Sequence, residues 1–269
     1  MVMRVLLRRS SCGSGGARRT GFRLPGLALV LALTMVGGML AVVPSASAGV
    51  LDQTQPGISN VQGLVSDTSN WAQTFTNGVS GGLDQIDIAV VRQGAGTASL
   101  RVEIRSLSGG VPSSLALANE TLPAASVPAG VVPTGFLSVP LTPPAPVTAG
   151  TQYAIVVSSS SCGFVNCYAW GFGPAGDPYP AGLGLHSGNG GVTWAPVNAF
   201  GSTDFAFKTY VIAPPTSKQQ CKKGRWRRFA NPSFKNQGQC VAYANHHDGK
   251  GKDDQNSSSG KNKGHGKKK

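Results

Sequence analysis

Between Gly49 and Ala213, apolar residues come in short runs that alternate with polar ones and are broken by Gly, Pro, Ser and Asn. No apolar period of 3.6 residues holds for three turns there, so the stretch predicts strands and not helices. The expected strands are Trp71–Thr76, Leu83–Val91, Ala98–Leu107, Ser114–Thr121, Phe136–Leu141, Gln152–Val157, Cys167–Phe172, Val192–Trp194 and Asp204–Val211. About nine antiparallel strands in one domain predict an all-β sandwich or jelly roll. Along two of them the faces can be assigned. Ile86, Ile88 and Val90 share one side, with Gln85 and Asp87 on the other, and Leu100, Val102 and Ile104 oppose Arg101, Glu103 and Arg105. In each case the apolar row faces a core and the polar row faces water. Pro-rich Val139–Pro146 and Gly-rich Gly182–Gly191 read as connections, the second a surface loop at one end of the sandwich.

The pattern changes at both ends of this body, residues 49–213. Arginines precede an apolar stretch from Leu24 to Val43, and Ala46-Ser47-Ala48 follows with small residues at the positions a signal peptidase reads. Residues 1–48 are therefore expected to be a signal peptide cut after Ala48, which makes the protein secreted, extracellular and open to cell-wall association. A retained membrane anchor is the competing reading, since the apolar stretch has about the ~20 residues a spanning helix needs. Arg18-Arg19 with Phe22 resembles a twin-arginine signal, with the Phe one place late. At Ala213-Pro214-Pro215 the alternation stops. Residues 214–245 hold Cys221, Cys240, Trp226, Phe229, Phe234 and Tyr243 and predict a small disulfide-closed unit. A unit that small buries little core, and closing its loop contributes on the order of 3 kcal/mol. Residues 246–269 have no aromatic or aliphatic side chain and predict a disordered Lys/Gly-rich tail.

Charge separates the same parts. The whole chain carries a formal +13, but residues 49–213 hold four basic and eight acidic groups, while residues 214–269 hold fourteen basic and three acidic ones. A mildly acidic body thus precedes a basic appendage, and the two are expected to have different partners. Once the signal with Cys12 is gone, Cys162, Cys167, Cys221 and Cys240 remain, and an even number outside the cell reads as two disulfides. Three pairings are open, of which Cys162 with Cys167 and Cys221 with Cys240 is the simplest. The spacing of a zinc site is lacking.

Two clusters carry candidate chemistry. Tyr168, Trp170 and Phe172 alternate on one side of a strand, and Tyr179 and Trp194 flank the loop that holds Asp177, His186 and Asn189. Flat rings beside hydrogen-bonding groups suit the apolar faces and hydroxyl rims of sugars, so Trp194, Tyr179, Trp170, Asp177, His186 and Asn189 form a candidate ligand-binding set. Core packing competes for the strand trio, which makes Tyr179 and Trp194 the better candidates. In the second cluster, Lys222, Lys223, Arg225, Arg227 and Arg228 surround Trp226 and Phe229, a mixture that can grip anionic polymers. A solvated spacer that keeps the body soluble is the plainer alternative.

Catalysis finds less support. Gly78-Val79-Ser80-Gly81-Gly82 fits G-x-S-x-G, but that motif needs a helix after the turn and a strand is expected, so a hairpin turn is the better reading. His186 is the sole histidine of the body. An acid/base hydrolase needs paired carboxylates, and Glu103 between Arg101 and Arg105 reads as a surface ion pair. No cofactor is expected. A Ca²⁺ ion held by carboxylates and loop carbonyls is the one alternative, and no D-x-D-x-D-G loop is present to hold it. His246-His247-Asp248 is too loosely placed to bind a metal specifically.

Several stretches also read together: Ala72-Gln73-Thr74-Phe75-Thr76, Val102-x-Ile104, Gly110-x-Pro112-x-x-Leu115-Ala116, Ala149-Gly150-Thr151-x-Tyr153, Trp170, Tyr179-x-x-Gly182, Trp194 and Asp204-Phe205-x-Phe207-x-Thr209-Tyr210. Their order resembles the β-sandwich domains of secreted and surface-anchored bacterial proteins, including the choice-of-anchor group. That resemblance implies a carbohydrate-binding or adhesive module and brings no catalytic residues with it. Ser217-Lys218-x-Gln220-Cys221-Lys222-x-Gly224-x-Trp226-x-x-Phe229, with Phe234 to Val241, resembles a C-terminal unit that recurs in secreted Gram-positive proteins. The expected function is a non-catalytic surface or glycan-binding module whose basic tail associates with anionic wall polymers. An extracellular carboxylate hydrolase and a polyanion binder acting through the tail alone are the alternatives. No specific nucleic acid is an expected partner.

Overall fold

The computed structural model describes residues 49–160, 168–198 and 201–248. Residues 1–48, expected to be a signal peptide, Cys162, Cys167 and residues 249–269 lie outside the described residues. Thirteen strands run in the order β1 (Val50–Gln55), β2 (Gln62–Val65), β3 (Asn70–Thr76), β4 (Gly81–Ile88), β5 (Val90–Arg92), β6 (Leu100–Ser108), β7 (Val111–Leu122), β8 (Leu137–Val147), β9 (Gln152–Ser159), β10 (Tyr168–Gly171), β11 (Gly184–Ser187), β12 (Ala195–Pro196) and β13 (Phe207–Ile212). They form a four-stranded sheet β1-β13-β4-β8, a three-stranded sheet β2-β10-β5 and a six-stranded sheet β12-β11-β3-β9-β6-β7, with antiparallel pairing throughout. The all-β sandwich is therefore the fold.

One core joins the three sheets. Ile86 and Ile88 from β4, Leu100, Val102 and Ile104 from β6, and Ile155 and Val157 from β9 meet Trp170, Phe172, Phe205 and Phe207 in a single buried cluster. The apolar rows of β4 and β6 thus point inward, as their alternation requires. Chain direction changes at Ala89, where β4 leaves its sheet and β5 enters another. Ala89 is held there by its N–H to Ala206 O and by Gly171 N–H to its own carbonyl.

Several elements depart from the sequence expectation. Val192–Trp194, expected as a strand, holds none and leads into the short β12. Val139–Pro146, read as a connection, lies within β8. Proline removes a ladder donor, but β8 is an edge strand paired only with β4, where a missing N–H costs no partner. Gly-rich Gly182–Gly191 contains β11. A β-carbon on Gly182 would stand 1.9 Å from the Thr74 carbonyl oxygen, so this glycine marks a close backbone approach and not a free loop. The turn around Ser80 joins β3 to β4 in a different sheet, so it is not a hairpin, and Ser80 Oγ accepts Ala149 N–H at 3.0 Å.

Glu103 also differs from expectation. It pairs with Arg101 at 2.7 Å and Arg105 at 2.5 Å as the spacing predicts, yet its side chain is only 3% exposed. The outer face of the six-stranded sheet carries a second apolar cluster, Ala72, Ala154, Val156 and Leu185, over which Leu107, Val111 and Trp194 fold. Glu103 stands opposite Val156 in the same sheet, so its carboxylate is buried while Arg101 keeps contact with water.

The C-terminal segment is ordered through Asp248, past the point where disorder was expected. Helices α1 (Lys218–Cys221) and α2 (Gln237–Asp248) flank a 3-10 turn at Arg225–Arg228. Among the described residues, no helix is long and apolar enough to cross a membrane.

Candidate functional site

The C-terminal unit is built from local rules. Ser217 and Gln220 form a reciprocal capping box at the start of α1, with Gln220 Oε1 accepting Ser217 N–H at 3.0 Å. Asn236 Oδ1 accepts Gln239 N–H at 2.9 Å at the start of α2. Cys221 and Cys240 are disulfide-bonded, with their Cα atoms 5.7 Å apart. Around the bridge, Phe229, Ala244, Trp226, Phe234 and Val241 pack on Ile212, the last residue of β13. The unit therefore completes its small core with a side chain of the sandwich. Asn231 Nδ2 adds a tether by donating to Val147 O at 2.9 Å.

This architecture spends the apolar side chains inward and leaves the cations outside. Lys222, Lys223, Arg225 and Arg227 are exposed, and residues 214–245 contain no Asp or Glu. Among the described residues no carboxylate lies within ion-pair distance of these four. The Arg227 guanidinium lies over Trp226, 4.5 Å from the ring centroid, which stiffens the indole and the charge together. Lys223, in the left-handed region with φ 55°, and Gly224, with φ 78°, make the tight turn that presents this row.

Arg228 turns the other way and is half-buried. It faces Asp84 in the middle of β4. Burial raises the Asp84 carboxyl above the ordinary carboxylate range, against the opposing pull of the Gly49 N–H and of Arg228. Burial likewise lowers the Arg228 guanidinium, with Asp84 opposing the change and Arg225 adding to it. A cleft of about 280 Å³ opens here, lined by Gly49, Val50, Ile212, Arg225, Arg228 and Phe229 among others, with no carboxylate in its wall.

At the sandwich end the candidate ligand set comes apart. Trp170 is 0% exposed, stacked 4.3 Å from Phe205, and its indole donates to Ala206 O at 3.0 Å. Tyr168 and Phe172 are buried as well, so the aromatic row is core and offers no face to a ligand. Tyr179 is 7% exposed, packs edge-on to Phe207, and donates its hydroxyl to Gln53 Oε1 at 2.8 Å. Burial pushes its phenol up to about 12. A backbone hydrogen bond at Thr76 opposes the rise, and Asp52 and Asp204 add to it. Trp170 and Tyr179 therefore leave the set, because period-2 aromatic spacing serves a packed interior as well as a binding face.

The other members are placed differently. Asn189 is exposed but spends its amide on its own turn, accepting from Ser187 Oγ at 2.9 Å and donating to Thr193 Oγ1 at 2.9 Å. Asp177 is exposed. His186 is half-buried, lies 4.1 Å from the Trp71 ring and is bonded through Nε2 to Ser69 Oγ at 3.0 Å. Burial lowers its pKa. Trp194 remains partly exposed on the outer apolar cluster, and its indole nitrogen is buried without an acceptor among the described residues.

The carboxylates are dispersed and engaged. Asp204 accepts from Gln73 Nε2 at 2.8 Å, Thr203 Oγ1 at 3.0 Å and Tyr179 N–H at 3.3 Å, which satisfies a fully buried group. Asp87 accepts from Gln85 and Tyr210, Asp52 from Gly78 N–H, and Glu120 from Thr142 N–H. No group of three or more His, Cys, Asp or Glu that could hold a metal ion occurs among the described residues. Sequence reasoning did not find Asp84, Gly49, Ile212 and Asn231, which make the junction of body and unit, nor Ser69 and Trp71 beside His186. None of these has a local motif, because their partners are distant in the chain. No known family model matches this chain, and no curated protein is similar to it.

Proposed function

We propose that the protein is a secreted, non-catalytic surface-binding module, held on anionic cell-wall polymer by its C-terminal unit. The observation that carries this reading is the row Lys222, Lys223, Arg225 and Arg227, exposed and without acidic neighbours among the described residues, on a disulfide-closed unit docked to a mildly acidic sandwich. Unneutralised cations fixed on a folded surface attract polyanions over roughly a Debye length, about 8 Å at physiological salt. In this reading the sandwich acts as the rigid carrier.

A second reading, a glycan contact at the outer sheet face, draws support from Trp194 alone. Its ring is partly exposed, and a flat aromatic face can stack on the apolar face of a sugar. For a carboxylate hydrolase, the dispersed and hydrogen-bonded carboxylates give no comparable support.

Cosedimentation of the full chain with Gram-positive wall fragments tests the main reading. The chain should pellet with the walls at low salt. Its affinity should drop on the order of a hundredfold between about 50 and 200 mM salt if four phosphates are neutralised. If a folded variant with Lys222, Lys223, Arg225 and Arg227 all changed to Ala pellets as the native chain does, the reading is wrong.

A further inference from the structure

Gly49 directly follows the Ala46-Ser47-Ala48 processing motif, and it is part of the fold. Its backbone nitrogen donates to Asp84 Oδ2 at 3.1 Å. A β-carbon at position 49 would lie 2.3 Å from Asp84 Oδ1 and 2.7 Å from the Val211 backbone nitrogen, so the site accepts glycine and nothing larger. Asp84 Oδ1 is buried, and among the described residues no donor reaches it. A carboxylate oxygen left unserved at this depth is costly. The other buried carboxylates, Asp87, Glu103 and Asp204, each receive two or more donors. What Asp84 lacks is a second hydrogen from the direction of Gly49. A peptide nitrogen has only one to give, whereas an ammonium group has three.

We propose that export processing completes this site: hydrolysis of the Ala48–Gly49 bond converts the Gly49 nitrogen into an α-ammonium that forms an ion pair with Asp84. The proposal rests on the reading that residues 1–48 are removed as a signal. Water and a signal peptidase are the co-reactants. The C–N bond breaks, the hydroxyl of water joins the Ala48 carbonyl carbon and its proton goes to the Gly49 nitrogen. At neutral pH the new carboxyl group releases a proton and the new amine binds one. The N–H donor already in place on Oδ2 is kept, and the added hydrogens reach for Oδ1. Arg228 is the other cation that faces Asp84, with Arg225 behind it, so the processed N-terminus and the C-terminal unit converge on one carboxylate. Processing therefore fastens the basic unit to the sandwich at the point where the chain begins.

The full chain is secreted from a host with a signal peptidase, and intact mass reads its first residue. The α-amine is then titrated by its acylation rate against pH, read by mass spectrometry, and compared with that of a chain prepared to begin at Ala48. An unpaired α-amine titrates at about 7.7 to 8.0. In the chain beginning at Gly49 it should titrate about 1 pH unit or more higher, and in the chain beginning at Ala48 at the ordinary value. Asp84→Asn should return the Gly49 amine to the ordinary value. Gly49→Ala, which keeps the carboxylate but blocks the approach, should do the same, so a failure of Asp84→Asn to fold leaves the test intact. A secreted chain that begins elsewhere removes the cleavage reading and the proposal with it. A chain that begins at Gly49 with an ordinary amine leaves the cleavage standing and overturns the ion pair alone.

Discussion

The sandwich end and the C-terminal unit make opposite use of similar residues. Both are rich in aromatic rings and in groups that can hydrogen-bond or carry charge. At the sandwich end those groups are consumed internally: Trp170 and Tyr179 donate to Ala206 and Gln53, and Asp204 collects three donors. In the C-terminal unit, Phe229 and Cys221 are buried while Lys222, Lys223, Arg225 and Arg227 stay outside with no acid among the described residues to meet them. A site for a partner needs groups that the fold has not already used. By that criterion the buried rings Trp170 and Tyr179 are architecture, and the proposed binding surface is the basic turn, whose cations remain exposed.

The largest effect that sharpens this contrast is expected from Trp170→Ala. Removing a fully buried indole should destabilise the sandwich by about 3–5 kcal/mol, measured by urea unfolding. Trp194→Ala, on the partly covered outer face, should cost about 1–2 kcal/mol. Equal losses would erase the distinction between core and surface tryptophans. Next comes the disulfide. Changing Cys221 and Cys240 to Ser should remove about 3 kcal/mol from the C-terminal unit, seen as proteolysis near Phe229, while the sandwich keeps its own cooperative melt. Loss of both together would mean that the unit is a structural prop of the body. Asn231→Ala, which cuts the tether to Val147, should cost about 1 kcal/mol and loosen the unit in hydrogen exchange.

The smallest effect concerns His186. Its folded pKa lies below the ordinary 6.5, so the neutral ring is the form the fold prefers. That preference stabilises the protein above the unfolded pKa and is lost as pH falls through the folded value. Thermal melts should show a shallow fall in stability below about pH 6.5 that His186→Gln flattens. An unchanged slope would remove His186 from the account of the sandwich end.

How much of this was legible in the sequence follows from the range of the interactions. Strict alternation in β4 and β6 reports the core-facing rows directly, and Ile86, Ile88, Leu100, Val102 and Ile104 point inward as expected, whereas Asp87 and Glu103, expected to face water, are buried. The first part of β8 was expected as Phe136–Leu141, but its continuation to Val147 and all of β11 were hidden because Pro and Gly normally signal breaks, and only sheet position explains why an edge strand tolerates Pro140, Pro144 and Pro146. β1 has exposed Val50 and Leu51 and no clean alternation, so its pairing with β13 left no periodic trace. The basic row could be read because it is contiguous. Core packing of Trp170 was one of two readings its spacing allowed, but the burial of Glu103 and the meeting of Gly49, Asp84 and Arg228 could not be read, because each depends on residues far apart in the chain.

The central claim is that binding capacity resides in the unspent cations of the C-terminal unit and not in the sandwich-end aromatics. Parallel binding isotherms on one immobilised phosphate polymer test it most directly, using the native chain, Trp194→Ala, and the variant with Lys222, Lys223, Arg225 and Arg227 changed to Ala. The account predicts that Trp194→Ala binds as the native chain does and that the four-cation variant loses most of its affinity and its salt dependence. Retained binding by the four-cation variant together with loss in Trp194→Ala would contradict it.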